Sequence, residues 1–251
     1  MLQINQKIIY YITLLAHKYS TCLFIIIYIM IIYMNNIKKL IAFAIFIIFI
    51  IFTNLKDIKE GLSSINKKNI ILLGDSILNN SNYVKQGESV SDLIKRKGGI
   101  NIMNVAIDKS KIKDINKQLI RIPSNYNNSN TYIFISVGGN DILNLPSQND
   151  EQINEKINEI LKEYLKNIKA IKNKFPKSKI IALNIYHPPS SYYKMYYKSI
   201  DLWNKLLKEN TFEGYNVLKI DEIIKTNNDL VNEIEPSKQG SIKIANAIVK
   251  F

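Results

Sequence analysis

The sequence predicts an α/β domain built on a mostly parallel sheet of five strands, preceded by one or two transmembrane helices. Three observations predict this. Five short runs rich in isoleucine and valine are separated by segments of helical spacing, the pattern of parallel strands covered on both faces. The first and third runs end abruptly in Gly74-Asp75-Ser76 and Gly138-Gly139-Asn140-Asp141. Ahead of all of them stand two longer runs that are apolar on every face, which suits lipid better than a soluble core.

The amino-terminal runs cover residues 22–33, extendable back through 8–16, and 40–52. Each is short for a bilayer, but flanking Thr, Asn and snorkelling Lys lengthen them into anchor helices of about 8–34 and 38–55. Lys38 and Lys39, between the runs, should stay cytoplasmic, so the domain that follows is expected outside the cytoplasmic membrane. Translation from Met34 gives the same result, because 34–39 then reads as the basic flank of an uncleaved signal anchor. Residues 56–68 are polar, carry Gly61, Ser63 and Ser64, and read as a linker. The domain proper covers 69–251.

Within it, the strand beginning at Asn69 should end at Gly74, with a helix starting just past Ser76. Residues 90–96 have helical spacing and stop at Gly98-Gly99. A second strand covers 100–106. A helix over 111–122 places Ile112, Ile115, Leu119 and Ile122 on one face and ends at Pro123. The third strand is 131–137, and a long amphipathic helix runs from 150 to 174. The fourth strand, 179–185, leads into a tyrosine-rich loop and a helix through Trp203 to Glu209. The fifth is 215–220, and Pro236 or Ser237 opens the last helix.

Composition narrows the functions. With 251 residues, 47% of them apolar, the chain can bury one good core. The net charge of +13 comes from scattered lysines without interleaved aromatics. That argues against a nucleic-acid partner and for attraction to an anionic membrane surface. Cys22 is the only cysteine, so there is neither an intramolecular disulfide nor a thiolate cluster, and it reads as a lipid-facing side chain. Two distant histidines and no carboxylate cluster of ligand spacing imply no metal, and no cofactor is expected.

Ligands of parallel sheets sit beyond the carboxyl ends of the strands. Ser76 and Asn140 would therefore share one rim, as a hydroxyl nucleophile beside an oxyanion donor. Either motif alone is an ordinary turn or helix cap. Gly74, Gly138 and Gly139 permit tight exits, while Asp75 and Asp141 are expected to cap turns and hold loops.

Ile71-Leu-Leu-Gly-Asp-Ser76 and Val137-Gly-Gly-Asn-Asp141 resemble the first and third blocks of the SGNH/GDSL hydrolase family. The likeness covers about residues 69–250. Tyr186 to Pro189 and Trp203-Asn204 are similar to its anchored, lysophospholipase-like branch. The resemblance implies a flavodoxin-like three-layer α/β/α sandwich, Ser76 as nucleophile, and an oxyanion hole from the Ser76 and second-block N–H groups with the Asn140 side chain. Lys109 stands where the second block has glycine. In the fifth block the family's Asp-x-x-His-Pro is Asn232-Glu-Ile-Glu235-Pro236, so Glu235 occupies the base position and Asn232 that of its orienting acid.

A carboxylate near pKa ~4.3 is a poor base for serine unless burial raises it. His187, after the fourth strand, is a second candidate; its alternative is a loop histidine packed among Tyr186, Tyr192 and Tyr193. The implied activity is a membrane-anchored esterase, lipase or acylhydrolase acting on acyl or acetyl esters of lipids or envelope glycans. The alternative is a degenerate member serving as an envelope binding or scaffold module. The tyrosines at 192, 193, 196 and 197 either line an acyl or sugar site or face a membrane interface.

Overall fold

Isoleucine and leucine at 70–73 are buried on both sides, and that single fact sets the architecture of the computed structural model, which describes residues 67–145 and 149–251. The expected anchor helices and most of the expected linker lie outside the described residues. No helix among the described residues is long and apolar enough to cross a membrane.

Five strands, β1 (Lys68–Gly74), β2 (Ile100–Asn104), β3 (Thr131–Ser136), β4 (Lys179–Leu183) and β5 (Asn216–Leu218), form one sheet in the order β2-β1-β3-β4-β5. Every pairing is parallel, where the sequence led us to expect mostly parallel. Side chains alternate across the sheet. Ile71, Leu73, Ile133 and Ile135 join one core with α2 (Ile115–Ile120), α4 (Asp150–Lys174) and α5 (Tyr197–Glu209). Ile70, Leu72, Phe134 and Ile181 join the other with α1 (Val90–Lys95) and α6 (Lys238–Lys250). Three layers result. A single turn, α3 (Gly139–Ile142), follows β3.

Local chemistry explains the helix bounds. Asn149 and Gln152 form a capping box at the start of α4, and lysines 172 and 174 complement the dipole at its end. Ser237 caps α6 by accepting from the Gln239 and Gly240 amides, so that helix opens after Pro236 rather than at it.

Some expectations are corrected. No helix follows Ser76; Leu78 and Asn79 N–H both donate to the Asp75 carbonyl, one turn that goes no further before α1. β2 ends at Asn104 rather than 106, because the Asn104 side chain accepts from the Ala106 amide at 3.0 Å and bends the chain out of the sheet. The expected helix over 111–122 is a 3₁₀ turn, Ile112–Asp114, followed by the short α2. An antiparallel pair, β6 (Leu230–Val231) with β7 (Glu235–Pro236), was not anticipated.

β1 lies between β2 and β3, so the chain leaves it in one direction and returns on the other side. That reversal opens a crevice above the ends of β1 and β3, the usual ligand position in such sheets.

Candidate active site

The exit of β1 is built around a glycine that nothing else can replace. Gly74 has φ +129°, and a Cβ there would stand 1.8 Å from the Ser136 carbonyl oxygen. This close approach lets the Asp75 amide donate to that same carbonyl at 2.8 Å, which locks the first residue beyond β1 to the end of β3. On the other flank the buried Gln118 amide clamps Gly74 twice. It accepts from the Gly74 N–H at 2.7 Å and donates to the Gly74 carbonyl at 2.8 Å.

Asp75 is 4% exposed and accepts from the Ser136 hydroxyl at 2.8 Å and the Ile77 amide at 3.2 Å. Burial, only partly offset by those bonds, pushes its carboxyl up to about 7. It holds the turn, as its position after the strand suggested. Asp141 does the same beyond β3, accepting from the Ile112 amide at 3.1 Å; burial raises its carboxyl.

Ser76, 6% exposed, faces a cleft of about 70 Å³ together with Asn140 and Glu235. The Ser76 hydroxyl and the Glu235 carboxylate line this cleft together, and the nearby hydroxyl acts to lower the carboxyl's pKa. Burial raises Glu235 to about 7, against the nearby Ser76 hydroxyl and the charge of Lys109, which lower it, while Asp108 adds to the rise. A carboxylate so shifted is matched to proton transfer near neutrality, which an ordinary glutamate is not.

The β6–β7 hairpin delivers Glu235, and hydrogen bonds to the residues on either side of it hold that strand in place. The Tyr186 hydroxyl donates to the Ile234 carbonyl at 2.5 Å, just ahead of the glutamate. Asn80, fully buried, donates to the Pro236 carbonyl and the Ser241 hydroxyl at 3.0 and 2.6 Å, and accepts from the Val90 amide at 3.0 Å. The loop carrying Ser76 is thereby tied to the strand carrying Glu235. Sequence reasoning missed Asn80 and Gln118 as supports. An isolated amide has no spacing signature, and only its buried surroundings disclose its role.

Asn140 lies in the single turn α3, which opens after Gly138, whose φ of +114° and contact with Trp203 exclude a side chain; a Cβ would come within 2.8 Å of the indole. One amide hydrogen of Asn140 donates to the Ser110 carbonyl at 3.1 Å, which leaves the other for a ligand in the cleft. Lys109 sits in the left-handed region at φ +60°, the conformation that glycine would adopt more comfortably.

Two candidates are not brought to this site. Asn232 occupies the exposed turn of the hairpin at φ +49°, and its side chain makes no hydrogen bond to Glu235. Glu235 Oε2 is buried without a partner among the described residues. His187 lies outside the cleft. Its Nε2 is 3.0 Å from Asp201 Oδ1, and its ring stacks on Tyr197 at 4.1 Å between centroids, not among Tyr186, Tyr192 and Tyr193. Nor do the tyrosines at 192, 193, 196 and 197 line the cleft. Its walls are mainly aliphatic, with Ile142, Leu143, Ile200 and Ile234 among the residues that line it.

The profile described as GDSL-like lipase/acylhydrolase matches residues 70–248. No curated protein sequence matches the chain. Solved structures do. A lipolytic G-D-S-L protein from Veillonella parvula aligns at TM-score 0.57 and 18% identity, over 72% of this chain and 96% of its own. A lipase from a goat rumen metagenome aligns at 0.58 and 16%, over 73% and 97%. A psychrotrophic esterase from Pseudoalteromonas sp., in a structure inhibited by monoethylphosphonate, aligns at 0.53 and 18%, over 73% and 96%. At these identities the likeness is one of fold.

Proposed function

The chain belongs to the GDSL-like lipase/acylhydrolase family, and from that premise we propose that it is a serine ester hydrolase working through a Ser76–Glu235 pair. The observation that carries this reading is that Ser76 and a buried carboxylate, Glu235, raised to about 7, line one largely aliphatic cleft. Ser76 Oγ attacks the ester carbonyl carbon while Glu235 takes its proton. The carbonyl electron pair moves onto oxygen, where the N–H groups of Ser76 and Lys109 and the free hydrogen of the Asn140 amide receive it. Collapse expels the alcohol, protonated by Glu235, and leaves an acyl-Ser76 ester. Water then enters with Glu235 again as base and restores the enzyme.

The aliphatic lining suits the acyl part of an ester better than a sugar, which supports lipid acyl esters or acylated envelope glycans as substrates. The two apolar amino-terminal runs and Lys38-Lys39 between them support anchoring in the cytoplasmic membrane with the domain outside. Scattered lysines would favour an anionic surface.

The full chain should hydrolyse p-nitrophenyl acetate or butyrate, and Ser76 should be labelled by a fluorophosphonate. Ser76→Ala should remove both. Hydrolysis that survives the substitution would refute the nucleophile. Absence of hydrolysis and of labelling in the wild type, from pH 6 to 9, would leave the scaffold reading, which the unpartnered Oε2 of Glu235 favours.

A further inference from the structure

Parallel strands gather their starts on one face of the sandwich, opposite the end that carries Ser76, and the returning helices bring their carboxyl ends to that same face. Lysines that are scattered in the sequence collect there. Lys68 begins β1 and Lys179 begins β4. Lys172 and Lys174 close α4, Lys177 lies in the turn between α4 and β4, and Lys250 ends α6. Hydrogen bonds join these segments into one surface. Lys68 Nζ donates to the Val249 carbonyl at 3.0 Å, Lys174 Nζ to the Leu119 carbonyl at 2.8 Å, and Lys172 Nζ to the Glu213 carbonyl at 2.9 Å.

The charge on this face is not balanced locally. Lys68 Nζ and Lys179 Nζ stand 4.4 and 4.5 Å from the centre of the same Tyr132 ring. None of the six lysines forms an ion pair among the described residues. Helix dipoles explain the lysines that end α4 and α6. They do not explain Lys68, Lys177 and Lys179, which sit at strand starts and in a turn.

Apolar side chains protrude from the same face. Ile120, the last residue of α2, is 79% exposed. Phe212, in the 3₁₀ turn Thr211–Glu213 that Lys172 holds, is 77% exposed. A soluble polyanion would be met by the lysines alone. Bulky apolar groups standing among cations suit a charged headgroup layer with acyl chains beneath it. The described residues also begin at this face, at Lys67, and in sequence residues 53–66 separate it from the apolar run 40–52.

We infer that this face docks the domain on anionic phospholipid headgroups, with the lysines on the phosphates and Ile120 and Phe212 entering the interface. The inference stands whether or not Ser76 hydrolyses esters. Docked this way, the seven residues of β1 hold the cleft about 20 Å from the headgroups, toward esters that stand out from the bilayer.

The test uses the full chain carrying Cys22→Ser, reconstituted in vesicles of phosphatidylglycerol and phosphatidylcholine. Single cysteines, Ile120→Cys, Phe212→Cys or Tyr192→Cys, carry a fluorophore that doxyl-labelled lipid quenches on contact. Tyr192 is the control, 64% exposed and beyond the loop after β4 that lines the cleft. Labels at 120 and 212 should be quenched and the label at 192 should not. Pure phosphatidylcholine or ~0.5 M salt should release the first two. Lys97→Glu, Arg121→Glu and Lys177→Glu together reverse three exposed charges of this face. They should weaken docking by at least about a hundredfold, about fivefold for each charge lost, with an unchanged melting temperature. Equal quenching on neutral lipid, or in the charge-reversed variant, would overturn the inference. So would a label at 192 quenched as strongly as those at 120 and 212. Labels at 120 and 212 that respond to added polyphosphate and not to doxyl lipid would give the face to a soluble polyanion and overturn it as well.

Discussion

Glu235→Gln separates what the carboxylate does for activity from what it costs the fold. Glutamine keeps the shape and an oxygen that can accept from Ser76, but it cannot take a proton. In the folded protein Glu235 is raised from 4.5 to about 7. A raised carboxylate means that the folded state binds more protons than the unfolded chain between those values, so stability falls as pH rises through that window. Above pH 7 the cost is fully present, and below 4.5 it is absent. At 1.36 kcal/mol per unit the shift corresponds to at most about 3 kcal/mol, an upper bound because the site opens to a cleft. The variant should therefore unfold at a higher temperature than wild type at pH 8, by about 5–10 °C for a domain of this size, and at nearly the same temperature at pH 4.5. Asp75, also raised to about 7, has the same sign and remains, so pH dependence should weaken rather than vanish. Ester hydrolysis should drop by about 10²–10⁴-fold, the usual contribution of a positioned base. The measurements are thermal unfolding of the full chain at the two pH values and a pH–rate profile on p-nitrophenyl butyrate. Equal melting temperatures at pH 8, or a rate and profile unchanged from wild type, would refute the reasoning.

Two further outcomes follow from the geometry. His187→Ala should leave the pH–rate midpoint in place and kcat within about threefold, since a residue that pairs with Asp201 outside the cleft removes no transition-state contact; a shift of the midpoint would return His187 to the site. Gly74→Ala should cost at least about 3–4 kcal/mol, because its Cβ would meet backbone at 1.8 Å and the residue would be held at φ +129°; a soluble variant with wild-type melting would contradict the close packing of β1 on β3.

The strand ends were legible because they depend on local pattern. Continuous apolar runs, glycine at the exits and the long amphipathic helix at 150–174 need no partner to be recognised, and Ser76 and Asn140 follow from them once parallel strands are inferred. The departure at Glu235 was equally visible, as was the lysine at 109. What a sequence does not carry is distance across the fold. Burial at about 7% exposure, and with it a carboxylate raised toward neutrality, comes from a hairpin far along the chain closing over Ser76. The clamps made by Asn80 and Gln118 arise the same way, each joining segments tens of residues apart. Tertiary structure alone separated the two base candidates. His187 follows a strand on the right rim but turns outward onto Tyr197, while the hairpin directs Glu235 inward and leaves Asn232 in solvent. The sequence by itself determined which residues reach the rim of the sheet; packing decided which of them meet, because the proton affinity and direction of a side chain belong to its surroundings rather than to its neighbours in the chain.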